Sequence, residues 1–171
     1  TEDSTRDCWG TFCYLRDLDG GEFWSATYQP TLKRGKAYET VFSLARAEFR
    51  RRDDDIVSHT EIAVSPEDDI ELRRVSIANR GQKRRMIELT SYAEVVLAPP
   101  AADATHPAFS KLFVQTEIVR SRQAILCTRR PRLSGDHPPW MFHLVALHGA
   151  GIGETSYETD RCRFVGRGRT L

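Results

Sequence analysis

The stretch KAYETVFSLARAEFRRR, residues 36–52, decides the fold because it reads two ways. Its alanines, leucine, glutamates and arginines are good helix formers, and its apolar residues are compatible with a 3.6-residue period, so pattern alone predicts a helix. The segments around it read as strand after strand. That setting argues for an antiparallel sandwich, in which a long strand of this composition is also tolerable.

Working outward, MIELTSYAEVVL (86–97) puts Ile87, Leu89, Ala93, Val95 and Leu97 on one face, with Glu88, Thr90, Tyr92 and Glu94 on the other, the mark of a half-buried strand. In DIVSHTEIAVSP (55–66), Ile56, Ile62 and Val64 share a phase against His59 and Glu61. IELRRVSIANR (70–80) starts in one phase at Ile70 and Leu72 and continues in the other at Val75 and Ile77, which predicts a β-bulge near Arg73–Arg74. Further strands fit 112–119, 124–128 and 140–148, the last apolar on both faces and expected to be the most buried. Turn signals separate them at 65–69, 79–83, 98–107, 130–139 and 148–153. In YLRDLDGGEFWS (14–25), Asp19-Gly20-Gly21 supplies a hairpin turn, with Tyr14 and Trp24 flanking it on paired strands.

A length of 171 residues suits one domain with a sizeable core, here residues 1–171 as a single β-sandwich. The formal charge of +1 gives no net field for a polyanion, so nucleic acid is a poor default partner. No apolar run approaches the ~20 residues that span a bilayer, and the first ten residues have no signal-peptide core. With no initiating Met, the chain reads as a piece of a larger multidomain polypeptide. Cys8, Cys13, Cys127 and Cys162 have no metal-type spacing and read as scattered buried thiols in a reducing compartment, although a Cys8–Cys13 bridge is geometrically conceivable.

Catalytic patterns are thin. DLDGGE (17–22) fails the calcium-loop pattern, because the third ligand position holds Gly21 and Glu22 stands where the turn glycine belongs. GAGIG (149–153) is a glycine-rich turn without a dinucleotide fingerprint, and no nucleophile elbow or P-loop occurs. RRRDDD (50–55) reads as a solvated turn with compensating charges, and the five histidines read as structural or exposed. No pair of carboxylates is singled out as a glycosidase pair would be. The flat rings of Trp9, Tyr14, Trp24 and Tyr28, which offer apolar area with a polar handle, are the better lead, with Trp9, Tyr14 and Trp24 as candidate glycan contacts, against the ordinary alternative that they fill the core. His106, Phe109 and Lys111 lie in the long connection PPAADATHPAFSKLF (99–113) and are candidate glycan or interdomain contacts, the alternative being that Phe109 merely anchors the loop.

Four blocks carry a resemblance that short motifs do not. WGTFCYLRDLDGGEFWSATYQP (9–30), EFRRRDDDIVSHTEIAVSPEDDIELRRVSIANR (48–80), RMIELTSYAEVVLAPPAADATHPAFSKLFVQTE (85–117) and SYETDRCRFVGRGRT (156–170) together span nearly the whole chain. They resemble the N-terminal domain of glycoside hydrolase family 94, formerly glycosyltransferase family 36, and look most like its cyclic β-1,2-glucan synthase branch. The resemblance implies an all-β, antiparallel two-sheet supersandwich of galactose-mutarotase-like type, and it turns residues 36–52 from helix into strand. It also implies that the general acid and phosphate site lie in an (α/α)6 barrel outside these residues. The expectations are therefore a domain without turnover of its own, no catalytic residue, no metal and no cofactor. Implied partners are a β-glucan oligosaccharide, the barrel of the same polypeptide and a homodimer mate, with no nucleic acid and no direct membrane contact. The implied setting is a soluble, cytoplasmic-facing domain of a bacterial inner-membrane parent.

Overall fold

Residues 36–52 form a hairpin, neither the helix of the pattern reading nor one long strand. In the computed structural model, which describes residues 10–149 and 153–166, strands β3 (Ala37–Ser43) and β4 (Arg46–Asp53) pair antiparallel from Ala37↔Arg52 to Ser43↔Arg46. Leu44 and Ala45 make the turn, and the Ser43 hydroxyl donates to the Arg46 carbonyl at 3.1 Å. The apolar spacing that suited a helix comes from two strands folded on each other, with Phe42 meeting Phe49 edge-on at 6.1 Å.

The remaining elements are β1 (Thr11–Asp17), β2 (Phe23–Ser25), β5 (Ile56–Val64), β6 (Glu71–Asn79), β7 (Ile87–Ala93), α1 (Pro100–Thr105), α2 (Pro107–Lys111), β8 (Val114–Val119), β9 (Ala124–Arg129), β10 (Met141–Leu144) and α3 (Arg161–Val165). They build sheets of order β2-β1-β7, β3-β4-β5-β6 and β10-β9-β8. The fold is all-β with antiparallel pairing, as a β-sandwich requires. The described residues divide into two compact units: residues 11–92 carry the first two sheets, and the other, with the described residues from 93 onward, carries the third.

Within residues 11–92 the core lies between sheets. Leu15, Trp24 and Ala26 pack with Ile56 of β5, and Cys13, Ile87 and Leu89 close around them. Cys13 and Leu15 of β1 and Ile87 and Leu89 of β7 face inward together, the β7 alternation as read from the sequence. The β1–β2 turn follows its glycines. Gly21 takes a φ of +73° and donates its N–H to the Asp17 carbonyl at 2.8 Å. The acids around it are structural: Asp17 accepts the Asp19 N–H at 3.0 Å and pairs with Arg85, and Asp19 accepts the Met86 N–H at 3.1 Å.

Several expectations are corrected. β5 and β6 keep one register from Ile56↔Asn79 to Val64↔Glu71, so there is no bulge at Arg73–Arg74. The phase change arises because Leu72 sits opposite Ala63 on one face, while Val75 and Ile77 sit opposite Thr60 and Ser58 on the other. Residues 140–148 are not the most buried strand. Only Met141–Leu144 is strand, its one neighbour among the described residues is β9, and Trp140, Phe142 and Leu144 are exposed. Nor is RRRDDD a solvated turn: residues 50–53 belong to β4, only Asp54 and Asp55 turn, and Arg51 is 2% exposed. Cys13, Cys127 and Cys162 are free thiols, but Cys162 is exposed on α3; Cys8 lies outside the described residues, as do Ala150, Gly151 and Ile152 of the GAGIG turn.

Candidate functional site

Two features concentrate functional side chains, one in each unit. On the four-stranded sheet, Glu48 of β4 stands directly opposite Glu61 of β5, and Arg50 opposite His59. Two like charges in register would repel, so neighbours of opposite sign must compensate. Arg46 does so for both, at 2.7 Å from Glu48 and 3.0 Å from Glu61. Arg74 Nε donates to the other Glu61 oxygen at 2.6 Å, and His59 Nε2 lies 2.9 Å from Glu48 Oε2. The His59 hydrogen bond, aided by the charges of Arg46 and Arg50, holds the Glu48 carboxyl below its usual range against a smaller opposing effect of burial.

Ligand atoms of Glu48, His59 and Glu61 lie within 4.8 Å of one another, a spacing that suits a metal ion. The donor set does not suit one. All four carboxylate oxygens already face a guanidinium or the imidazole, and guanidinium does not give up its proton. The cluster is an ion-pair lattice that fixes strand register. The signal for it was available in the alternation Glu48-Arg50 against His59-Glu61, once the strands were aligned.

In the other unit, the connection 99–113 is not a bare loop but two short helices pinned from below. Arg129, buried, donates to the Val96 carbonyl at 2.6 Å and to the Ser110 carbonyl at 2.9 Å. Glu94, its side chain almost fully buried, pairs with Lys111 and with Arg161 at 3.0 Å. Phe113 packs edge-on against Phe109 at 5.2 Å and has the guanidinium carbons of Arg129, Arg130 and Arg132 at 5.1–5.9 Å from its ring centre.

The candidate contacts separate accordingly. His106, Phe109 and Lys111 share this segment; His106 is exposed between α1 and α2, Phe109 is 56% exposed, and Lys111 is engaged with Glu94. Trp24 is 3% exposed in the core, with Lys33 Nζ 5.5 Å from its ring centre, which removes its faces from contact with a glycan. Tyr14 is half-buried beside Phe12, its hydroxyl pushed up to about 12 by burial. Leu15 rather than Tyr14 is the register partner of Trp24, so Tyr14 and Trp24 point to opposite faces and form no shared platform. Trp9 lies outside the described residues. Sequence reasoning passed over Trp140, whose indole is 67% exposed beside Gln115, Glu117 and Thr128; its position after two prolines at a strand start was the available signal.

The model of the glycosyl hydrolase 94 supersandwich domain matches residues 1–171. The chain is 44% identical over all 171 residues to cyclic beta-(1,2)-glucan synthase NdvB of Rhizobium meliloti (strain 1021), covering 6% of that protein. It is 35% identical over 78 residues, 46% of the chain, to 3-O-beta-D-glucopyranosyl-beta-D-glucuronide phosphorylase of Paenibacillus borealis, covering 10% of it. It is 30% identical over 115 residues, 66% of the chain, to N,N'-diacetylchitobiose phosphorylase of Vibrio furnissii, covering 14% of it. The chain thus spans a small part of each relative's length. Among the described residues no helix is long and apolar enough to cross a membrane.

Proposed function

The chain belongs to glycosyl hydrolase family 94 as its supersandwich domain, a non-catalytic module, and from that premise we propose that it contacts β-glucan and helps shape the cleft of a catalytic (α/α)6 barrel in the same polypeptide. The observation that carries this reading is the similarity to a cyclic glucan synthase across every residue of the chain. The geometry is favourable to it: the 99–113 segment is held rigid by buried Arg129 and Glu94 while His106 and Phe109 face outward. A contact surface fixed in advance loses less entropy on binding. The parent reaction in this proposal is β-1,2-glucan synthesis or β-glucan phosphorolysis, in a cytoplasmic-facing position beside the inner membrane.

The test is a titration of the 171-residue chain with β-1,2-linked gluco-oligosaccharides, followed by amide NMR, together with a phosphorolysis assay. Saturable millimolar binding without turnover supports the reading. Turnover above a mock preparation overturns the non-catalytic part, and the absence of any shift overturns glycan contact. One feature favours a second reading, a purely structural packing or dimerisation module. An open apolar cleft of about 330 Å³ at the end of the β3–β4 hairpin is lined by Phe42, Leu44, Ala47, Ile62 and Val64, chemistry suited to a protein neighbour.

A further inference from the structure

We propose that Trp140, Gln115, Glu117 and Thr128 form a subsite for a single glucosyl ring on the face of the β10-β9-β8 sheet; this rests on the glycan-contact reading above. These residues, with Thr116 and Leu126, line a cleft of about 190 Å³. That is below the roughly 300–1,000 Å³ of pockets that engulf a drug-sized ligand, so the cleft suits one ring of an oligosaccharide whose remainder lies in solvent.

Strand register assembles the site. Gln115 is the direct partner of Thr128, and Glu117 of Leu126, so all four side chains issue from one face of the β8–β9 pair. Trp140 enters at the start of β10, where Met141 pairs with Cys127, and the Thr128 hydroxyl donates to the Pro139 carbonyl at 3.1 Å, tying down the backbone just before the indole. Two prolines at 138 and 139 stiffen the approach further.

The chemistry selects the ligand class. A β-linked glucosyl ring offers an axial C–H face that lies flat on an indole, ringed by hydroxyls that both donate and accept. Trp140 supplies the flat apolar surface, 67% exposed, and the amide of Gln115 and carboxylate of Glu117 supply a donor with acceptors beside it. Among the described residues neither Gln115 nor Glu117 is committed to another side chain, in contrast to Glu48, Glu61 and Glu94. The lining carries one negative charge and no cation, which disfavours a phosphorylated or carboxylated ligand and leaves a neutral polyol.

The test uses the 171-residue chain and β-1,2-linked glucotriose as probe, followed by the indole N–H and amide NMR resonances. The expected result is a saturable shift of the Trp140 indole, with Trp140→Ala and Glu117→Ala each weakening binding by about tenfold while circular dichroism and the melting temperature stay unchanged. Both positions are exposed, so the fold tolerates them. Unaltered affinity in both variants, or shifts confined to residues 99–113, overturns this subsite while glycan contact survives. No shift anywhere at about 10 mM probe overturns both.

Discussion

His59 and Glu48 meet across two adjacent antiparallel strands, with Nε2 of the imidazole 2.9 Å from Oε2 of the carboxylate. Glu48 is diagonal to His59, whose direct register partner is Arg50, so the pair ties two rungs of the β4–β5 ladder together. The contact stands beside the Arg46 bridge between Glu48 and Glu61, and along β4 the side chains alternate in sign from Arg46 through Glu48 to Arg50.

This lattice makes stability depend on acid in one direction. The Glu48 carboxyl titrates below its ordinary value of 4.5, chiefly through the His59 hydrogen bond. A depressed folded value means the stabilisation is fully present above pH 4.5 and is lost as pH falls through the lower, folded value. Urea midpoints measured between pH 3 and pH 6 should fall steadily on the acid side in the native chain, with a shallower slope for Glu48→Gln. Equal slopes for the two would show that other carboxylates carry the acid sensitivity.

Arg51 is a different case, an internal charge rather than a surface one. Its Nε and Nη2 donate to the two Asp53 oxygens at 2.6 and 2.9 Å, and Nη1 donates to the Thr27 carbonyl at 3.1 Å. Arg51→Met leaves Asp53 nearly buried without its counter-charge and should cost about 3 kcal/mol in urea unfolding. Arg51→Lys should lose much of the same stability, since a point charge cannot reproduce the two-pronged contact. A lysine variant as stable as the native chain would assign the effect to charge alone.

The fold was legible where side chains alternate against a covered face. Ile56, Ile87 and Leu89 sit where period-two spacing put them, and Asp19-Gly20-Gly21 turns as its glycines dictate. The hairpin inside residues 36–52 was not legible, because Leu44 and Ala45 carry no turn chemistry and both flanking strands contain helix formers. Edge position is equally invisible locally. Trp140, Phe142 and Leu144 look like core until the sheet order shows β10 with one neighbour among the described residues. Of the candidate contacts, Trp24 was lost to the core for the same reason: burial is decided by which strand lies across from it, here β5.

Core packing in residues 11–92 includes Leu15, which is 0% exposed and belongs to a cluster built with residues from three other strands. Leu15→Ala removes its branched side chain between two sheets that cannot fully collapse, and should destabilise by ~3 kcal/mol. Because Leu15 is the direct partner of Trp24, the fluorescence of the buried indole should also shift to the red as water gains access. A loss below about 1 kcal/mol would mean that the β1–β5 contact is already loose.

Cysteine reactivity should sort by burial. Burial raises the Cys13 thiol to about 11, with Arg73 pulling in the opposite direction, and burial raises Cys127 as well. At pH 8 roughly one Cys13 in a thousand is then thiolate, the form that attacks an alkylating reagent. Cys162 is exposed on α3. Among the described cysteines, iodoacetamide at pH 8 followed by peptide mass spectrometry should therefore label Cys162 first, with Cys13 and Cys127 labelled only after urea opens the fold. Labelling of Cys13 in the native chain at the rate of Cys162 would show that the core around β1 opens to solvent on the timescale of the reaction.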